Sequence, residues 1–438
     1  MLERFTSLSF SQLIRHKSIQ NFIFLLFIQS SNILISLMVM PLLIQSIGVD
    51  QFGLVSLAIS VILIANVFVG FGYNLSGPRE VALNQKDQQA LSDILSNVIF
   101  SKLLLATVAT LCLAVAILGF DLFPEYQVIL IYSLLMLFSE ATLPVWFFQG
   151  LEKMKLVSVA NVFSKLLYLL GIVLFVQAPE DAKWVNFFFG GSALLINFFL
   201  LAYVHIELGI RLYHPSLGRI FRSYRNNIYL FLSALTSHIS TNGGIVILSF
   251  FASAPVLGMY SLAERVSMVL RMFPTIIIQA VFPNASKLYQ NDRESFYRFL
   301  KKIYRTALFL AILITISTYV MAPVIVKVLA KSQMQESIAF LRILAFVPLF
   351  GTINIANMVL ILVMDQKKIL FNSSWIFCFY MIITASVLSY LFNGIGLAYS
   401  LLSTELVIFA VCSVLIHKKK PDIFNEFYRR AFGSHYSG

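Results

Sequence analysis

Charged side chains that interrupt long apolar runs are the residues in this chain with chemistry to do. Lys102, Lys165, Arg265, Arg271 and Arg342 are cationic there, Glu140, Glu264 and Glu405 are anionic, and His238 can take either state. An ionisable group inside such a run costs about 2.5–3.5 kcal/mol on insertion scales, so it is expected to face a bundle interior or an aqueous cavity. Five cations against three anions bias that interior towards an anionic ligand. Arginine supplies a planar fork that matches oxyanions, whereas lysine acts as a point charge.

Depth sorts these groups. Lys102 and Arg342 lie within roughly 10 Å of an expected helix end and can snorkel to the surface. Lys165, Arg271, His238 and Glu405 lie too deep for that. Glu264 and Arg271 are seven residues apart, about two helical turns, and therefore share a face with Met268 between them, while Arg265 points about 100° away. His238 taken alone reads as a satisfied interhelical histidine. Glu264 and Glu405, with Glu140, are the groups able to carry a coupling proton or sodium ion. No metal-ligand spacing, phosphate loop or Ser/His/Asp set appears, so neither a metal nor a cofactor is expected. Cys112, Cys378 and Cys412 sit singly in apolar runs and read as small buried hydrophobes.

The elements that must position these residues follow from composition. Of 438 residues 59% are hydrophobic and only 12% charged, with a mean hydropathy of +0.85. A soluble domain carries about twice that charge, so large soluble domains are excluded and the solvent is lipid. A bilayer core of about 30 Å needs about 20 apolar residues per helix. Apolar runs bounded by charge, Pro or Gly predict twelve spans: 22–46, 52–74, 95–119, 127–149, 156–177, 185–207, 227–252, 258–283, 307–330, 337–364, 369–392 and 395–417. The fold class is therefore an all-α polytopic membrane protein. The first twenty residues precede a span too long for a signal sequence, so the first helix is expected to stay as an anchor.

A net charge of +12 would suggest nucleic acid in a soluble protein; here orientation explains it, and no nucleic-acid partner is expected. With both termini in the cytoplasm, the basic segments 208–226 and 284–306 fall inside, whereas the opposite loops hold only Lys183, Lys327 and Lys331. The positive-inside rule fixes this orientation, with the bilayer as the immediate partner.

The chain also repeats at an offset of 205 residues. Phe52-Gly53-Leu54-Val55-Ser56-Leu57-Ala58 aligns with Leu257-Gly258-Met259-Tyr260-Ser261-Leu262-Ala263, and without a gap Asn21 falls on Asn226 and Pro78 on Pro283. Six spans separate the copies, so the halves share one orientation, a parallel repeat of the kind found in transporters. The domains expected are a six-helix bundle over 1–207, a basic cytoplasmic linker over 208–226, a second bundle over 227–417 and a cytoplasmic tail over 418–438. The repeat sets Asn66 opposite Arg271, and Ser31, Asn32 and Ser36 opposite Thr236, Ser237 and Thr241. Asn32, Ser36, Asn66, Ser237, His238 and Thr241 are thus expected to line one polar cavity between spans 1, 2, 7 and 8, although such groups can also simply bond neighbouring helices. Pro41 in span 1 and Gly243-Gly244 in span 7 are expected to interrupt their helices at corresponding depths.

Gly48-Val49-Asp50-Gln51-Phe52-Gly53, Ser56-Leu57-Ala58 and Arg79-Glu80-Val81-Ala82 resemble the first hairpin of polysaccharide repeat-unit flippases, the O-antigen or Wzx type of the MOP superfamily. Trp146-Phe147-Phe148-Gln149-Gly150-Leu151-Glu152-Lys153-Met154 is similar to that family's exit from helix 4, and Leu257 to Arg265 to its entry into helix 8. The resemblance implies twelve transmembrane helices in two pseudo-symmetric, MATE-like six-helix bundles, in a bacterial inner membrane. It also implies movement of an undecaprenyl-diphosphate-linked oligosaccharide from the cytoplasmic to the periplasmic leaflet by alternating access. Polysaccharide polymerase and chain-length proteins of the same pathway would be its partners. Arg271, supported by Lys165 and Arg265, is then the expected contact to the diphosphate, with Arg342 and Lys102 as further cavity cations.

Two rivals stand beside that reading. An antiporter for drugs or metabolites on the same scaffold should carry mainly acidic residues in its cavity. A membrane polymerase or glycosyl transferase would need a polar loop with acid/base groups, and every outward loop here is short.

Overall fold

The computed structural model describes residues 17–119 and 124–432, so both chain ends, expected in the cytoplasm, lie outside the described residues. Lipid offers no partner to backbone N–H and C=O groups, so apolar segments close their hydrogen bonds internally as helices. Helix and short connections account for the described residues, and ten segments are long and apolar enough to cross a membrane. The chain is a multi-pass membrane protein that divides into two compact units, Met1–His238 and Ile239–Gly438.

In the first unit α1 (Lys17–Gly70) runs through predicted spans 1 and 2. Its 54 residues would extend about 80 Å if straight, far beyond a ~30 Å hydrocarbon core. It is broken at Gly48, where φ is 80°, a left-handed conformation that glycine adopts without steric cost. Then come α2 (Tyr73–Leu83) and α3 (Gln88–Gly119). Predicted span 4 is three short helices, α4 (Gln127–Ser133), α5 (Leu135–Thr142) and α6 (Val145–Gly150). The unit continues with α7 (Met154–Phe175), α8 (Ala182–Ile206) and the start of α9 (Leu217–Leu248).

The second unit takes the end of α9, then α10 (Ala254–Asn291) and α11 (Arg293–Ala330). Span 10 is again divided, into α12 (Gln335–Leu344), α13 (Val347–Ile353) and α14 (Ile355–Val363). Spans 11 and 12 merge as α15 (Lys367–Lys419), broken at Asn393 with φ at 51°. The predicted tail contains α16 (Pro421–Phe432), whose Phe427 is fully buried and meets the Tyr304 ring of α11.

The expected interruptions are displaced. Pro41 lies inside continuous helix, and Gly243-Gly244 lie within α9. The interruptions fall instead in spans 4 and 10, at Leu143-Pro144 and just ahead of Pro348. Proline has no N–H and crowds the preceding turn, and Leu143 is accordingly extended (ψ 110°). The basic segments are also more helical than expected: α9 starts at Leu217, and only Asp292 separates α10 from α11. Asp292 caps α11 by accepting from the N–H groups of Glu294 and Ser295 at 3.0 Å. Hydrogen bonding from the Ser295 side chain, then from these N–H groups, holds its carboxyl below the usual range.

Trp146, Phe147 and Phe148 are buried in the first unit's core. The Trp146 ring lies over Gly77 of α2, where an added Cβ would come within 2.5 Å of Cε3. Gly150 admits Val81 in the same way. The aromatic segment thus packs α6 onto α2.

Candidate functional site

The first unit contains a partly open cavity of about 230 Å³. Asn32 and Asn66 enter it from α1, Ser139 and Glu140 from α5, Asn161, Ser164 and Lys165 from α7, and Asn197 and Phe189 from α8. The break after α5 ends that helix within a turn of Glu140, so a short element holds the carboxylate at the wall. Lys102 donates to Glu140 Oε1 at 3.0 Å, with the lysine fully buried and the glutamate 19% exposed. The expectation that Lys102 snorkels is therefore corrected: a carboxylate on the neighbouring helix gives it a partner at its own depth. Lys165 is 8% exposed, with Nζ 3.7 Å from the centroid of Phe189, a cation–π contact. The Oδ1 atoms of Asn32 and Asn66 are buried without a hydrogen-bond partner.

In the second unit the deep arginine also meets a carboxylate. Arg271 Nη2 lies 3.3 Å from Glu405 Oε1, joining α10 to α15. The helical-face pairing with Glu264 pointed to a different partner; Glu264 is buried on α10 within electrostatic range of Arg271 and Arg265. Arg271 Nε is buried and has no hydrogen-bond partner, so Glu405 occupies only part of the guanidinium fork. Pro274 and Gly351 approach the same place, since a Cβ on Gly351 would touch Pro274 Cγ at 3.3 Å and Glu405 Oε2 at 3.7 Å.

The remaining predicted residues do not line that cavity, although His238 lies within electrostatic range of Glu140. Arg342 is exposed on α12, 5.3 Å from the Tyr319 ring centroid. Ser237, His238 and Thr241 lie on an exposed stretch of α9, and Ser36 is half-buried on α1, each with interactions of its own. Asn161 and Asn197 went unnoticed in the sequence. Asn161 carried a signal, since it precedes Lys165 by one helical turn and so shares its face.

A family model described as "Polysaccharide biosynthesis protein" matches residues 18–289. A "Putative O-antigen transporter" of Escherichia coli (strain K12) is 25% identical over 405 residues, covering 92% of this chain and 97% of the relative. Among solved structures, the lipid II flippase MurJ in an inward closed conformation aligns with TM-score 0.70 at 15% identity, covering 94% of this chain and 90% of that one. An inward-facing multidrug resistance MATE family transporter of the MOP superfamily aligns with TM-score 0.68 at 14% identity, covering 89% and 95%. These likenesses show a MATE-like fold.

Proposed function

Because the chain belongs to the polysaccharide biosynthesis protein family, we propose that it flips a lipid-linked oligosaccharide across the bacterial inner membrane, from the cytoplasmic to the periplasmic leaflet. The observation that carries this reading is the family match over residues 18–289; the O-antigen transporter relative supports it. The drug-antiporter reading has only the fold behind it. Transport rather than transferase chemistry agrees with the relatives' descriptions. Counting each of the two broken helices, α1 and α15, as two passes turns ten segments into twelve crossings. The breaks at Gly48 and, 205 residues on, at Ser253 ahead of α10 support the parallel repeat.

Arg271 is the residue we assign to the diphosphate. With 23% of its side chain still exposed beside Glu405, its guanidinium can meet an oxyanion within an otherwise apolar span. Arg265, one position round from Glu264, is the neighbouring cation. Glu264 and Glu405 are the groups to test for proton or sodium coupling, by comparing transport with and without an imposed gradient in Glu405→Gln. Polymerase and chain-length proteins would then receive the glycan at the outer leaflet.

Deleting the gene tests the function directly. The expected outcome is accumulation of lipid-linked oligosaccharide in the inner leaflet and loss of surface polysaccharide, both reversed by the intact gene. Unchanged surface polysaccharide with normal carrier lipid pools would defeat the proposal.

A further inference from the structure

The basic end of the second unit draws cations from separate parts of the chain. Among the described residues, the first exposed large apolar side chain on α11 is Phe309 and the last on α15 is Val414. Exposed Arg305 precedes Phe309, and exposed Lys418 follows Val414, each by one helical turn of about 6 Å. Both helix ends therefore fall in the headgroup layer, which adds roughly 5–7 Å to each side of the hydrocarbon core. Lys302 and Lys420 are exposed at the same two ends. Helix α16 joins them. Phe427 meets the Tyr304 ring at 6.0 Å, next to Arg305, and Phe424 meets the His417 ring at 5.3 Å, next to Lys418. With Ile423, these two residues lay the apolar face of α16 on a core containing Phe296, Leu300 and Ile416, so that face is not left for the bilayer.

The nearby carboxylates have other work. Glu426 pairs with Arg429 at 2.6 Å, Asp292 caps α11, and Asp422 lies in the first turn of α16, where the helix dipole favours a negative charge. Lys302, Lys418 and Lys420 pair with no carboxylate among the described residues. Orientation requires only that such charges share one side of the membrane. It does not require a packed helix to hold the ends of α11 and α15 in one patch. We propose that this patch binds the headgroup of an anionic phospholipid of the cytoplasmic leaflet, with Lys302, Lys418 and Lys420 meeting its phosphate and α16 holding the two helix ends together. Clusters of basic residues beside a span or on an amphipathic helix attract anionic headgroups in this way, and lysine, a point charge on a flexible stem, suits a phosphodiester approached from the headgroup layer. The site stands apart from the flippase reading, since it needs no transported glycan.

Full-length protein in phosphatidylcholine nanodiscs, doped with a phosphatidylglycerol or a phosphatidylcholine probe that carries a diazirine next to the headgroup, tests this by photo-crosslinking and peptide mapping. The phosphatidylglycerol probe is expected to label the start of α11 and the segment from Lys418 into α16 at least about tenfold more than the phosphatidylcholine probe, a ratio within reach of two basic residues at an anionic headgroup. Unlabelled phosphatidylglycerol should compete, and inorganic phosphate at the same concentration should not. Replacing Lys302, Lys418 and Lys420 together by Gln should bring the two probes to equal labelling with an unchanged melting temperature, whereas replacing all three by Arg should keep the preference. Equal labelling by both probes in the unaltered protein, a preference that survives the triple Gln variant, or displacement by inorganic phosphate would each overturn the assignment. An equal preference at Arg222 and Arg225 of α9 would overturn it too, because general surface charge would then account for the labelling.

Discussion

Glu140→Gln and Lys102→Met break the same ion pair but should not cost the same. Removing the carboxylate strands Lys102, which is fully buried, whereas removing the lysine leaves Glu140 with 19% exposure and access to cavity water. Breaking a buried pair costs about 3–5 kcal/mol, so Glu140→Gln should reach that range and Lys102→Met fall below it. The double variant should recover most of the loss, and thermal melting in detergent reads all three. Arg271 calls for a different comparison. Arg271→Ala should abolish surface polysaccharide at near-normal protein abundance, and Arg271→Lys should restore it only in part, because a point charge lacks the fork. Full transport in the Arg271→Gln, Glu405→Gln double variant would reduce Arg271 to a structural partner of Glu405. Depth in the sequence singled out Arg271 and Glu405 but not their pairing, and it read Lys102 as able to snorkel because Glu140 lies on another helix. Arg271 reads on its helix as a neighbour of Glu264, and only the approach of α10 to α15 brings Glu405 to it.

At the scale of elements, the aromatic segment after α5 shows what sequence can and cannot display. Trp146 to Gly150 stood out as a family signature, yet its physical meaning depends on Gly77, which belongs to a separate helix and carries no local signal. A methyl group at Gly77 would come within 2.5 Å of the Trp146 ring, and overpacking of this kind costs about 1–3 kcal/mol. Gly77→Ala should lower the melting temperature, Trp146→Phe should lower it by opening a void, and the double variant should lose less than the sum. Additive losses would mean that α2 and α6 adjust independently. The displaced interruptions have a related cause. Within a span Pro41 is tolerated in continuous helix, whereas Pro144 and Pro348 coincide with breaks, and residue type alone does not distinguish these cases because packing of neighbouring helices decides whether the freed carbonyl is satisfied.

For the molecule as a whole, length, composition and apolar runs were enough to read a polytopic helical fold, because lipid leaves the backbone few alternatives. The helical extensions at the basic ends were harder to see, since their charges interrupt the long apolar runs that mark spans; a narrower apolar stripe, Val281 and Ala285 on α10 and Phe296, Leu300 and Tyr304 on α11, still packs into the core there. The charge they carry nevertheless predicts which side they occupy. Arg211, Arg219, Arg222 and Arg225 precede or begin α9, and Lys301, Lys302 and Arg305 follow the start of α11; translocating such clusters opposes the positive-inside bias. In a background lacking Cys112, Cys378 and Cys412, a thiol at exposed Ser216 should resist an impermeant reagent in intact cells with a permeabilised outer membrane, and react once the inner membrane is opened. A thiol at exposed Ser332, in the connection between α11 and α12, should react in both conditions. Because three crossings, α9, α10 and α11, separate the two sites, reversing the protein would exchange the two labelling patterns, and labelling of both or neither in intact cells would mean that the crossings have been miscounted.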